Sequence, residues 1–202
     1  MVFGDYGSMM NLDQSAKQVL FVQGGGEGAH AADAKLVASL REQLGPGYAV
    51  SYPLMPKEDD PNYTTWKQRI AEELARIGDA ALVVGHSVGA AVLIKSLADG
   101  AFTQSIAAVF LVAAPFLHDD EIWRWKEAEL PQDVADRLPR ELPVFAYHGR
   151  EDEIVPFSHF AMYAKALPHA TFRALDGRDH QLKEDLTEVA DDIKRVSGRV
   201  RR

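Results

Sequence analysis

Gly85-His86-Ser87-Val88-Gly89 stands between two apolar runs, Ala80-Ala81-Leu82-Val83-Val84 before it and Ala90-Ala91-Val92-Leu93-Ile94 after it. The pattern is G-x-S-x-G, entered by a strand and left by a helix, and that context gives the short motif its meaning. A serine on so sharp a turn takes a strained backbone conformation. The flanking glycines remove the side chains that would clash there. Its hydroxyl is presented at the carboxyl end of a buried strand and at the N-terminus of a helix. Ser87 is therefore the candidate nucleophile.

Outward from this turn, strand and helix patterns alternate. Gln18 to Val22 is a short apolar strand that runs into Gln23-Gly24-Gly25-Gly26. Asp33 to Leu44 has helical spacing, with Leu36, Val37, Leu40 and Leu44 on one face. Gly45-Pro46-Gly47 stops it. Tyr48 to Tyr52 reads as a strand and Thr65 to Ile77 as a helix. After the turn come a helix over Gly89 to Leu97 and strands at Ile106 to Ala113, Pro143 to Tyr147 and Thr171 to Leu175. Phe157 to Leu167 and Leu186 to Val196 read as helices. Such alternation implies a parallel sheet covered on both faces. In such sheets the site lies beyond the carboxyl ends of the strands.

The chain has 202 residues, which suits one domain. We expect residues 1–15 to be a disordered leader or cloning remnant and residues 16–202 to be the domain. Its formal charge of -8 argues against nucleic acid or an anionic membrane as the partner, since phosphate binding needs a basic surface. There is no cysteine, which removes thiolate catalysis and sulfur-ligated zinc and suits a cytoplasmic location. No apolar run approaches the roughly 20 residues of a membrane span.

A serine hydroxyl needs a base to take its proton, most often a histidine held in the right tautomer. Seven histidines are present. His180, in Asp176-Gly177-Arg178-Asp179-His180, follows the last strand and is the preferred base. His148, also at a strand end, is second. His118, His159 and His169 read as surface residues. The orienting acid should also follow a strand, and Glu151, Asp152 and Glu153 stand together after Pro143 to Tyr147. Asp is shorter and favours the tight turn that such a role demands, so Asp152 is preferred, with its neighbours as a solvated charge run. The negative oxygen of an acyl-transfer intermediate needs two backbone N–H donors. Val88 directly after the serine supplies one. Gly25, with Gly24 next, supplies the other from the glycine loop. The triple glycine lacks the Gly-Lys-Ser/Thr of a phosphate loop.

Together these segments resemble the α/β-hydrolase family. They are the glycine loop Gln23 to Gly26, the elbow Gly85 to Gly89, the acid loop Gly149 to Pro156 and the histidine loop Gly177 to His180. The serine–acid–histidine order is that family's order. The resemblance spans roughly Gln18 to Val196 and is strongest to small, nearly capless members that lack the first two antiparallel strands. It implies a mostly parallel six-stranded sheet in the order 2-1-3-4-5-6, helices on both faces and a minimal lid. Gln23 stands where the family often has histidine, which leaves the N–H donors intact but changes the side chain beside them.

Four further residues are candidates for substrate contact. Gly24 lies in the glycine loop and His86 adjoins the reacting serine, although neighbours on a sharp turn point apart. Met55, in the proline-rich loop Pro53 to Pro61, either lines a pocket with Trp66 or packs over the sheet. Trp123 lies in the irregular stretch 116–142, which is either a surface helix with loops or a small lid whose tryptophans form an apolar wall. His118-Asp119-Asp120-Glu121 lacks a second ligand cluster, so no metal is expected, nor any other cofactor. The expected function is a serine hydrolase that cleaves a carboxylic ester or similar small acyl compound through an acyl-enzyme, with Ser87, His180 and Asp152 as its triad. A thioesterase, amidase or acyltransferase would use the same residues. The alternative is a non-catalytic ligand- or protein-binding module on the same scaffold. The sequence does not specify the oligomeric state.

Overall fold

The computed structural model of the protein describes residues 16–118 and 121–199. The expected leader, Asp119 and Asp120, and the last three residues lie outside them. Six strands form one sheet: β1 (Lys17–Val22), β2 (Tyr48–Ser51), β3 (Ala81–His86), β4 (Ile106–Val112), β5 (Val144–Gly149) and β6 (Thr171–Leu175). Their order is β2-β1-β3-β4-β5-β6, and each adjacent pair is parallel. This is the α/β-hydrolase arrangement that the sequence predicts.

Among the described residues six α-helices connect and cover the strands: α1 (Ala29–Leu44), α2 (Tyr63–Ile77), α3 (Ser87–Ala98), α4 (Val134–Arg137), α5 (Ser158–Ala166) and α6 (Thr187–Arg199). Alternation along β1 shows why Val19 to Val22 is continuously apolar. Val19 and Phe21 pack on the face covered by α1 and α6, through Leu36, Leu40, Val189 and Ile193. Leu20 and Val22 pack on the opposite face with Trp66, Ile70, Leu93 and Tyr163 from α2, α3 and α5. All four β1 residues are fully buried. Both faces of the strand are dry, so the period-2 polarity of a half-exposed strand is absent.

Three helices start earlier than their periodicity predicts, and capping explains two of them. Helix α2 begins at Tyr63 because the Asn62 side chain accepts the Thr65 N–H at 3.2 Å. Helix α1 begins at Ala29, four residues before the expected start at Asp33. The Glu58 carboxylate, from the loop after β2, accepts the Gly28 and His30 N–H groups at 3.1 and 2.7 Å. A carboxylate at a helix N-terminus satisfies free donors and complements the helix dipole. The described residues of stretch 116–142 form only a 3-10 turn (Lys126–Ala128) and α4, and Ala128, Val134 and Leu138 bury themselves in the core. Among the described residues no helix is long and apolar enough to cross a membrane.

One buried carboxylate locks α6 to the sheet. Asp192 accepts the Tyr147 hydroxyl at 2.8 Å and Arg173 Nη2 at 2.7 Å, and Arg195 lies 2.9 Å away. Burial alone would raise the Asp192 carboxyl, but Arg173, the Tyr147 hydroxyl and Arg195 outweigh it and hold it below the usual carboxylate range. Its folded value lies below the unfolded one of about 3.9. Its contribution is therefore present above about pH 4 and lost as pH falls through the depressed folded value. Asp192→Asn should cost about 2 kcal/mol at pH 7. The measurement is a lower urea midpoint with unchanged slope, and the gap to wild type should narrow on acidification to pH 3.

Candidate active site

The turn from β3 into α3 places Ser87 as the first helical residue, with φ at 48° in the left-handed region. A non-glycine residue held there costs roughly 1–3 kcal/mol, which the surrounding packing must sustain. The flanking glycines make that packing feasible. A Cβ on Gly85 would stand 2.6 Å from Ala90 Cα. One on Gly89 would collide with the Gln23 carbonyl and lie 2.8 Å from that of Val22. Helix α3 thus starts against the end of β1 itself. Ser87 is 7% exposed, and Val88 follows it in the first turn, where helix N–H groups have no intrahelical acceptor.

The loops after β5 and β6 meet in the same way. Gly149 ends β5, and a Cβ there would collide with the Arg178 carbonyl. The Glu151 N–H donates to that carbonyl at 3.1 Å, and the Arg150 N–H donates to Leu175 at 3.0 Å. This contact brings Asp152 and His180 together: His180 Nδ1 lies 2.9 Å from Asp152 Oδ2 and 3.1 Å from Oδ1. The Ile154 and Val155 N–H groups donate to Asp152 Oδ1 at 2.9 and 2.8 Å. His148 Nε2 lies 2.9 Å from the Val155 carbonyl and 3.3 Å from Asp152 Oδ2. Of the three adjacent acids only Asp152 turns inward, while Glu151 and Glu153 are exposed. Burial would raise the Asp152 carboxyl. Hydrogen bonds from His148 and His180, the charge of His180 and the Val155 N–H outweigh it and hold Asp152 well below the usual carboxylate range.

The glycine loop has its donors divided. Gly24 N–H donates to Asp33 Oδ2 at 2.7 Å, and Gly26 N–H donates to the Glu58 carbonyl. Gly25 is therefore the one glycine of the triplet whose N–H has no partner among the described residues. A Cβ on Gly25 would lie 3.2 Å from Val88 Cβ, so the two expected donors are neighbours. Gln23, fully buried, sets the orientation. Its Nε2 donates to the Gly24 carbonyl at 3.3 Å and to Glu58 Oε2 at 2.6 Å, and its Oε1 accepts the Met55 N–H at 2.9 Å. In a trans peptide the C=O and N–H point in opposite directions. Gln23 holds the Gly24 carbonyl to one side, so the Gly25 N–H faces the other.

Several expected contact residues lie elsewhere. His86 is 1% exposed, with both ring nitrogens engaged, so it is not part of a substrate surface. Met55 is likewise 1% exposed and packs in the core with Trp66, whose Nε1–H donates to the Pro56 carbonyl at 2.7 Å. Gly24 is buried and its N–H is taken. Trp123 is half-buried against His159, with ring centroids 4.9 Å apart. His159, expected at the surface, is 3% exposed because Nδ1 accepts the Phe116 N–H at 2.9 Å. Asp33 and the pairing of Gln23 with Glu58 were not anticipated. The available signal was Asp33 itself, a charge in register with Leu36, Val37, Leu40 and Leu44 on the buried stripe of α1.

Two surface grooves, of about 530 and 680 Å3, lie along α2 and beside α4, and neither includes Ser87, Asp152 or His180. Among the described residues no group of three or more His, Asp or Glu side chains is placed to hold a metal ion.

Residues 48–185 match the protein family described as serine hydrolase. The chain belongs to the serine hydrolase family. No curated protein matches this serine hydrolase in sequence. Solved structures share its fold at low identity. The esterase domain of a Rhodothermus marinus protein is 19% identical with a TM-score of 0.67, over 93% of this chain and 89% of that one. The 2-hydroxy-6-oxo-6-phenylhexa-2,4-dienoate hydrolase of Rhodococcus sp. strain RHA1 is 17% identical with a TM-score of 0.71, over 91% of each chain. Est1E from Butyrivibrio proteoclasticus is 18% identical with a TM-score of 0.64, over 90% of this chain and 86% of its own.

The Gly149 contact makes a direct prediction. Gly149→Ala must push the histidine loop off the acid loop, at a cost of about 1–3 kcal/mol. A lower melting temperature and a loss of hydrolytic rate larger than any change in KM are the expected results.

Proposed function

We propose that this serine hydrolase cleaves carboxylic esters of small acyl compounds through an acyl-enzyme intermediate. The observation that carries the reading is the bond from His180 Nδ1 to a buried, ionised Asp152 on the sheet edge that also bears Ser87. A carboxylate at Nδ1 fixes the proton there and leaves Nε2 as a base. The Ser87 hydroxyl attacks the ester carbonyl carbon while His180 Nε2 takes its proton. The tetrahedral oxyanion sits between the Gly25 and Val88 N–H groups. Collapse breaks the bond to the alcohol oxygen, and His180 returns the proton to it. Water then repeats the sequence on the acyl-enzyme, releasing the acid and free Ser87. The esterase named among the solved structures supports an ester over a thioester or amide.

Ser87→Ala should lower hydrolysis of a short p-nitrophenyl ester by about 10⁴–10⁶-fold. Fluorophosphonate labelling should disappear with it. A folded Ser87→Ala protein at the wild-type rate would overturn the proposal. Absence of labelling and turnover in the native protein would favour a binding module.

The acid side of the rate profile is a second test. Asp152 stays a carboxylate well below its ordinary range, so its own protonation adds nothing to the acid limb. Log kcat/KM should therefore fall with a slope of about one per pH unit rather than two. Steady-state rates between pH 8 and pH 5 measure it.

A further inference from the structure

Beneath Ser87 lies a second acid–histidine pair that the reaction as written does not use. Asp33 and His86 are each 1% exposed. His86 Nδ1 is 2.9 Å from Asp33 Oδ2, and His86 Nε2 is 3.1 Å from the His180 carbonyl oxygen. A carbonyl oxygen only accepts, so Nε2 carries a proton. The surroundings of Asp33 bear on the other proton. Its Oδ2 also takes the Gly24 N–H at 2.7 Å, and its Oδ1 takes the Gln181 side-chain amide at 3.1 Å. Two donors beside the imidazole stabilise Asp33 as a carboxylate, which favours the second proton on His86 Nδ1.

We propose that Asp33 is a positioning residue of the reaction. It holds His86 as a doubly protonated imidazolium that joins the glycine loop, the nucleophile elbow and the histidine loop into one hydrogen-bonded unit. The inference rests on the roles given above to Gly25, Ser87 and His180. Each loop that supplies one of those groups has a tie to the pair. Gly24, next to the donor Gly25, is held by Asp33. His86 precedes Ser87. The His180 backbone is held by His86, and Gln181 by Asp33. His86 and His180 ring centroids are 4.9 Å apart, so the cation also adjoins the base.

The electrostatics agree with the geometry. Burial works against both charges, lowering His86 and raising Asp33. Their mutual attraction outweighs it, so His86 is raised and Asp33 lowered from their ordinary values. Other groups facing the pair are His180 and Asp152, from the loops after β6 and β5, and Tyr52, whose phenol burial pushes up and keeps neutral. The hydrogen bond from the Tyr52 hydroxyl to the His30 carbonyl turns it away from Asp33. A buried cation with one buried counter-charge is expensive to break, which is what a fixed positioning element requires.

Asp33→Asn tests this. The substituted side chain keeps its shape and one oxygen can still accept the Gly24 N–H. It offers no counter-charge, so His86 loses a proton and has one N–H for two acceptors. We expect kcat for a p-nitrophenyl ester, and the rate of fluorophosphonate labelling, to fall about 10- to 100-fold with KM little changed. A residue needed only for folding would lower the active fraction and leave the rate per labelled site unchanged. Nitrogen-15 NMR of the native protein at pH 7 should show both His86 ring nitrogens protonated. The variant should show one. A single protonated His86 nitrogen in the native protein overturns the inference, as does wild-type kcat in a folded Asp33→Asn protein. His86→Gln, a neutral bridge of similar reach, carries the same kinetic test should Asp33→Asn fail to fold. The NMR measurement needs no turnover, so it stands even where Ser87→Ala shows the hydrolase reading to be wrong.

Discussion

Backbone against backbone is the contact on which this site depends. Helix α3 meets the end of β1 at Gly89, where a methyl group would enter the Gln23 carbonyl. The loop after β5 meets the loop after β6 at Gly149, where a methyl group would enter the Arg178 carbonyl. The first contact sets the serine turn beside the glycine loop. The second sets the acid beside the histidine. Side-chain chemistry is then arranged on a frame whose tolerances are those of atoms already touching.

Buried carboxylates fix the rest. Asp33, Asp152 and Asp192 are each buried, and each is surrounded by donors from different parts of the chain. Desolvation would neutralise any of them alone. Convergent N–H, O–H and guanidinium groups keep them charged, and each charge holds those groups in place. The protein repeats one device three times: Asp192 binds a helix to the sheet, Asp152 bonds His180, and Asp33 bonds Gly24, His86 and Gln181.

The sheet and the serine turn were legible because they are written locally. Apolar runs marked β1, β3 and β4, and the G-x-S-x-G marked the turn. The strand order came with the family resemblance. Asp152 was legible by a stereochemical argument about short acids in turns, and the structure turns that residue alone inward. What escaped were the buried side-chain pairs outside the expected triad. Asp33 and His86 are 53 residues apart, and Gln23 and Glu58 are 35 apart. Nothing local marks such partners, although an acid on the apolar stripe of α1 asks for one. The same cause misplaced His86 and His159. Each is polar enough for a surface, and each is buried because distant groups receive its imidazole ring.

Sheet order also dictates what the site depends on. Strand β6 pairs only with β5 at the edge of the sheet, and His180 follows it. Without that pairing the loops after β5 and β6 would not meet, and His180 would lose Asp152 while Ser87 kept its helix and its glycine loop. The proposed chemistry is thus tied to the rim of the sheet and not to its centre.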